Sequence, residues 1–268
     1  MRGGKSFKYR ILIGLAIAAF FYFKKCSQQQ VNPYTGRQQT ISMNTDQEIQ
    51  MGLQSRDQMA QQHGGLYPNE NFQALVDQVG NKLVNNSIAK KTPYKYEFHL
   101  LADPNTINAF ALPGGQIFIT YALFSQLKNQ DQLAGVLGHE IGHILGKHSA
   151  ERIAESEYWQ GLTTAGSVGA DMGGMVSQIG QGKLLTNGRD DELESDDLGI
   201  LFMIKAGYKP EEMIGVMNIL KAAAGPNRQP EFKSTHPDPD NRIEHIQESI
   251  RKYRKSPQIQ SQDKGFFE

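Results

Sequence analysis

The stretch LGHEIGH puts His139 and His143 four residues apart, with Glu140 beside the first. Histidines at i and i+4 share one helix face, so both imidazoles can reach a single metal ion. Glu140 is offset by about 100 degrees, which suits a base acting on metal-bound water rather than a ligand. The helix has independent support. Leu133, Val136, Leu137, Ile141, Ile144 and Leu145 form an apolar stripe of the kind that buries an element.

A catalytic zinc needs a third protein ligand and leaves its fourth position for water. Gly146 invites a pattern with a third histidine six residues after His143, but that position is Ser149 and His148 comes one residue early. One residue turns a side chain about 100 degrees on a helix, so His148 points off the ion and packs near the helix end. The segment DELESDDLGI offers Glu192, Glu194, Asp196 and Asp197 on a helix whose apolar side holds Leu193, Ile200, Leu201 and Ile204. Glu192 and Asp196 are four apart and share a face. One can ligate zinc while the other orients a ligand histidine, and Glu194 points elsewhere. Cys26 is the only cysteine, so an intramolecular disulfide and a cysteine-based zinc cluster are both excluded.

Several elements must position these residues. Thr45, Asp46, Gln47 and Glu48 read as a capping box opening a helix to about residue 62. A second amphipathic helix, 70–85, places Phe72, Leu75, Val76, Val79 and Leu83 on one face. Residues 94–103 alternate as a strand, and 108–120, NAFALPGGQIFIT, read as two short strands broken at Pro113, Gly114 and Gly115. A small sheet against the motif helix follows. Residues 161–182, rich in small side chains, read as a helical hairpin or flap, with Asp171 in the middle arguing against a membrane span. Helices are expected at about 191–206, at 210–224 with Pro210 first, and at 240–254, before a flexible tail at 255–268.

The 268 residues carry 28 Lys plus Arg and 28 Asp plus Glu, so no bulk charge calls for nucleic acid as a partner. The N-terminus differs from the rest. Arg2, Lys5, Lys8 and Arg10 precede the uncharged run ILIGLAIAAFFYF, and Lys24 and Lys25 follow it. The run spans roughly 20 Å as a helix against about 30 Å of hydrocarbon, a gap that snorkelling cations at both ends could close. Ala16, Ile17 and Ala18 form a small-x-small site inside the run, so an uncleaved signal-anchor at 1–26 is favoured over cleavage and release to the periplasm. The heavier charge before the run keeps the N-terminus cytoplasmic and the body outside. A polar tether, 27–44, leads to the main domain, 45–254.

The elements NPYTGRQQ, NAFALPGGQIFIT, LAGVLGHEIGHILGKHSAER, ELESDDLG and STHPDPDNRI, in this order, cover about residues 32–250. In them the chain resembles the gluzincin metallopeptidases that include the CAAX prenyl protease, HtpX and the periplasmic protease BepA. Its single anchor is more similar to the BepA-like branch. The resemblance implies an α+β, mostly helical zincin-like minigluzincin domain with its HExxH helix packed on a small sheet. It further implies one Zn2+ per chain, Glu192 as third ligand and Asp196 supporting a histidine. Ser195 stands where many members have alanine. Strand 116–120 is implied to be an edge that pairs with an extended substrate. His236 is placed near the metal, with Arg242 tying its loop down. There His236 can donate to the oxyanion, or fill the fourth zinc position at rest and move for catalysis. The implied activity is a membrane-anchored zinc endopeptidase acting on unfolded or misassembled proteins in envelope quality control. The alternative is a chaperone-like or scaffold protein whose zinc is structural or blocked.

Overall fold

The structure, a computed structural model, describes residues 3–223, 236 and 241–256, with the backbone alone at 3–6 and 185–187. The chain divides into two compact units, residues 45–146 with 189–268 and residues 1–44 with 147–188.

The first unit carries the HExxH helix. Helices α2, Thr45–Gln62, and α3, Glu70–Asn85, have the bounds their sequence patterns call for. The Asn69 side chain caps α3 by accepting from the amides of Asn71 and Phe72, and Val76, Val79 and Leu83 are fully buried. Phe72, expected on the buried face, stands at the surface instead. Strands β3, Glu97–Leu101, β4, Ala109–Leu112, and β5, Gln116–Thr120, form a sheet in the order β3-β5-β4, with β3 parallel and β4 antiparallel to β5. The β4–β5 turn needs its glycines. Gly114 and Gly115 have φ of 82° and 118°, and a Cβ at Gly115 would stand 2.4 Å from the Lys95 carbonyl oxygen.

Strand β5 is therefore central, and the expected substrate edge at 116–120 is corrected. All five of its residues are buried, as befits a short apolar strand covered on both sides, and the edges fall to β3 and β4. A short helix α4, Tyr121–Phe124, leads to α5, Gln130–Gly146, which carries the HExxH motif and packs against α3, β4 and β5. Beyond it, α6 covers His148–Ala170 and α7 covers Gly173–Lys205. The acidic helix expected from about 191 is thus the end of a longer one. No proline stands between residues 172 and 208 to stop it. Helix α8, Glu212–Ala223, packs on α5, and α9, Arg242–Arg254, is tied to α7 where Asp197 binds Ser249, Lys252 and Tyr253. The expected start of α9 at 240 and nearly all of the tail lie outside the described residues.

In the second unit, α1, Gly3–Ser27, lies along α6. A Cβ on Gly14 would meet the Ala165 carbonyl oxygen at 2.8 Å, so glycine permits the close approach. Ion pairs Arg10–Asp171 at 2.6 Å, Lys24–Glu157 at 2.8 Å and Lys25–Glu155 at 3.6 Å flank that contact. Asp171, with φ of 57°, turns α6 into α7, which bears out the hairpin expected near 161–182. The tether at 27–44 is structured. Strands β1, Gln29–Val31, and β2, Gln38–Thr40, pair across a turn in which Asn32 accepts from the amides of Tyr34 and Thr35, and Arg37 meets Glu151 at 2.5 Å.

The signal-anchor expected at 1–26 is not matched by a span. No described helix is long and apolar enough to cross a membrane, because the uncharged run in α1 is too short and cations bound it.

Candidate metal centre

The centre is assembled where α5 crosses α7, and small residues set the distance. A Cβ on Gly142 would stand 2.9 Å from the Cα and carbonyl oxygen of Ser195, and one on Gly138 would stand 3.3 Å from Gly199. Backbones this close bring the side chains at 139 and 143 within reach of those at 192 and 196. His139 Nε2 and His143 Nε2 are 3.0 Å apart, and each lies 3.2 Å from a Glu192 carboxylate oxygen. His236 joins them, its Nδ1 3.0 Å from Glu192 Oε1 and 3.4 Å from His139 Nε2. Its Nε2 donates to the Ala109 carbonyl at 3.1 Å, which leaves the Nδ1 lone pair turned to the group.

A chain of bonds fixes the first histidine. His139 Nδ1 donates to Asp196 Oδ1 at 2.8 Å, so its Nε2 lone pair also faces inward. Arg242 grips Asp196 in turn, Nε to Oδ2 at 2.7 Å and Nη2 to Oδ1 at 2.9 Å. Burial pushes the Asp196 carboxyl up, but Arg242 and His139 outweigh it and hold it at about 2. Burial likewise opposes the Glu192 charge, and the imidazoles of His236, His143 and His139 draw its carboxyl well below the usual range.

Glu140 is different. Burial raises its carboxyl, and among the described residues neither of its oxygens has a hydrogen-bond partner, although His236 Nε2 lies 3.6 Å from Oε1. A buried carboxylate of this kind carries an uncompensated desolvation cost, which marks it for work on a bound molecule. His139, His143, Glu192 and His236 together form a group that could hold a metal ion. Imidazole nitrogens and a carboxylate are the donors a borderline divalent ion such as zinc takes, and Glu192 Oε2, held by ion pairs with His139 at 3.2 Å and Arg242 at 3.3 Å but without a hydrogen bond among the described residues, fits that use.

The chain matches Peptidase family M48 over residues 70–250. It belongs to that family. Among its relatives is the mitochondrial metalloendopeptidase OMA1 of Schizosaccharomyces pombe, 28% identical over 90% of this chain and 72% of the relative. The beta-barrel assembly-enhancing protease of Escherichia coli K12 is 30% identical over 79% of this chain and 45% of its own length. Metalloprotease YcaL of the same organism is 29% identical over 63% and 66%. The chain spans about half the length of the beta-barrel assembly-enhancing proteases it matches.

This M48 metallopeptidase thus brings together all seven residues singled out in its sequence: His139, Glu140, His143, Glu192, Asp196, His236 and Arg242. His148 is not among the gathered group. It opens α6, beyond Lys147, whose φ of 56° ends the motif helix. Two features of the centre escaped the sequence reading. The glycine face of α5 was hidden because Gly138 and Gly142 read as gaps in an apolar stripe, although their spacing of four was the available signal. The bond from His236 to Ala109 joins residues far apart in sequence and left no local trace.

Proposed function

We propose that this peptidase is a zinc-dependent endopeptidase that cleaves unfolded or misassembled proteins in envelope quality control, attached to a membrane through α1. The observation that carries the enzymatic reading is Glu140, buried and without a hydrogen-bond partner beside a group of inward-facing donors. A structural metal site has no use for such a residue. In this reading His139, His143 and Glu192 hold zinc, Asp196 fixes the His139 ring, and Arg242 fixes Asp196. Bound zinc supplies a Lewis acid that acidifies water and polarises a peptide carbonyl.

Glu140 takes a proton from the attacking water and returns it to the leaving amine, and its raised affinity for protons suits both directions. His236 would supply the fourth donor at rest and would have to move for turnover, after which its ring could donate to the oxyanion. Its motion also touches the substrate edge. The Thr120 amide bonds to Asn108, so by antiparallel alternation the backbone groups of Ala109 and Ala111 face away from β5 on the free edge of β4. His236 occupies the Ala109 carbonyl, and its departure frees that acceptor for an extended substrate.

Attachment is supported by the apolar run of α1 between cations. Leu12, Leu15, Phe20 and Phe23 are exposed on it. The quality-control part of the reading draws on one relative's name, a beta-barrel assembly-enhancing protease.

Casein digestion with and without chelator, repeated with Glu140→Gln, tests the enzymatic reading. Cleavage lost in the variant with zinc retained is expected, whereas full cleavage by Glu140→Gln would end the mechanism. Flotation of the protein with anionic liposomes, lost when residues 1–26 are removed, tests attachment.

A further inference from the structure

On the edge of the sheet opposite β4, a groove of about 600 Å³ runs between α3 and β3, within the usual range for ligand sites. Strand addition is largely blocked there. The Gln73 amide donates to the Phe98 carbonyl at 2.8 Å and accepts from the Leu100 amide at 2.9 Å, as a neighbouring strand would. The Tyr67 amide takes the Leu100 carbonyl at 2.8 Å. Recognition in this groove must therefore come from side chains.

Two features describe what fits. A ladder of rings runs past one end. Tyr121 and Tyr67 stack with centroids 4.3 Å apart, Tyr67 and Phe72 follow at 6.0 Å, and Phe72 meets Phe124 at 5.3 Å. Leu66, 59% exposed, adds to this surface. The other feature is charge. Glu70, Asp77 and Glu97 line the groove, and among the described residues no Lys or Arg does. Arg56 sits 3.6 Å from Glu97, but among the described residues no Lys or Arg pairs with Glu70 or Asp77.

Aromatic surface of this kind takes up apolar side chains, and the carboxylates beside it attract cations and repel polyanions. An unfolded chain offers both in one stretch, because folding buries most of the large apolar side chains that an unfolded segment exposes next to its charged ones. We infer that the α3–β3 groove is a second docking site for the protein substrate, taking an extended stretch that mixes apolar and basic residues. It lies two strand spacings, about 10 Å, across the sheet from the β4 edge, so it holds a part of the substrate separate from the stretch on β4. The inference rests on the peptidase reading for its purpose, not for its binding chemistry.

The test uses the full-length, zinc-loaded chain carrying Glu140→Gln, so that the probe is not cut. The probe is a fluorescein-labelled peptide of about twelve residues alternating lysine with phenylalanine or leucine, followed by anisotropy. Its counterpart has glutamate in place of lysine. Binding of the lysine peptide is expected at least about tenfold tighter than that of the glutamate peptide, and weakened at least tenfold by Glu70→Lys with Asp77→Lys. Equal affinity for the two peptides, no binding of the lysine peptide, or indifference to the double substitution each overturns the inference.

Hydrolysis of a quenched peptide of about six uncharged residues, which offers the groove no cation, should be unchanged by the double substitution in an otherwise unaltered chain. That result also shows the variant to be folded. If the double variant does not fold, the comparison of the two peptides on the chain without it still decides. A wild-type chain that hydrolyses no peptide counts against the peptidase reading and leaves the binding result standing.

Discussion

Substituting Gly142 by alanine adds one methyl group at the α5–α7 crossing. That Cβ would stand 2.9 Å from both the Cα and the carbonyl oxygen of Ser195. Carbon contacts are comfortable from about 3.5 Å, so the helices must part by at least roughly 0.5 Å. Backbone cannot swing aside as a side-chain tip can. Overpacking of this sort costs about 1–3 kcal/mol, offset by up to about 1 kcal/mol from alanine's better helix propensity. The larger effect falls on the centre, because Ser195 is one residue from Asp196 and three from Glu192. A displacement of 1 Å at a reacting site costs about 10²-fold, so half of that predicts about a tenfold loss in kcat/KM. Zinc affinity, measured by competition with a chromophoric chelator, should fall by a similar factor.

The same helix supplies the control. A Cβ on Gly135 would lie 3.6–3.7 Å from Met213 and Val216, an ordinary contact, so Gly135→Ala should be neutral or slightly stabilising. Gly138→Ala, at 3.3 Å from Gly199, should fall between the two. If Gly142→Ala folds and keeps both zinc affinity and kcat/KM within twofold of Gly135→Ala, the crossing distance does not set the geometry of the centre.

Glu192→Gln should weaken zinc binding severely and Glu194→Gln should not, as metal content after dialysis will show; a sensitive Glu194 would contradict the assignment. Asp196→Asn should cost roughly 10 to 100-fold in zinc affinity, since it loosens the His139 ring without removing a donor. His236→Ala should open a metal coordination position to exchangeable water, detectable by relaxation measurements on the cobalt-substituted protein, and should alter cleavage; a variant identical to wild type in both would exclude His236 from the centre. Acid should act through Asp196. Its carboxyl is held at about 2 in the fold against about 3.9 unfolded, so the fold gains on the order of 2–3 kcal/mol above pH 4 and loses it as pH falls through about 2. Urea unfolding of chelator-treated protein from pH 5 to 2.5 should show that decline, with a flatter slope in Asp196→Asn; equal slopes would remove Asp196 as its source.

What could be read from the sequence was what repeats at short range. A capping box gave α2 and the period of apolar residues gave α3, both with their bounds, and the spacing of four within 139–143 and within 192–196 gave two pairs of side chains that meet in the structure. Choosing Glu192 over Asp196 took the family resemblance, because both share one face. Long-range order was less accessible. Nothing in QIFIT distinguishes an edge from a centre until its partners are known, and β5 acquires two. The run of glycines and polar residues before Arg189 looked like a helix boundary, yet a helix with neighbours to pack on tolerates residues of poor propensity. Phe72 kept the period of the buried face of α3, but near the helix start that face gives onto other surface rings instead of the core.

The donors gathered at the centre come from three separate parts of the chain, and His139 and His236 are 97 positions apart. No fragment shorter than that can present them together. A half-unfolded copy in which α7 has not docked on α5 lacks Glu192 at the centre and so has no complete donor set, and competence arrives with that docking. Occupancy by a metal would close both long loops at once, so the ion would act as a clasp whose removal loosens the fold along with the chemistry. Such a requirement acts as a safeguard in its own right: the donors meet only once the chain has folded.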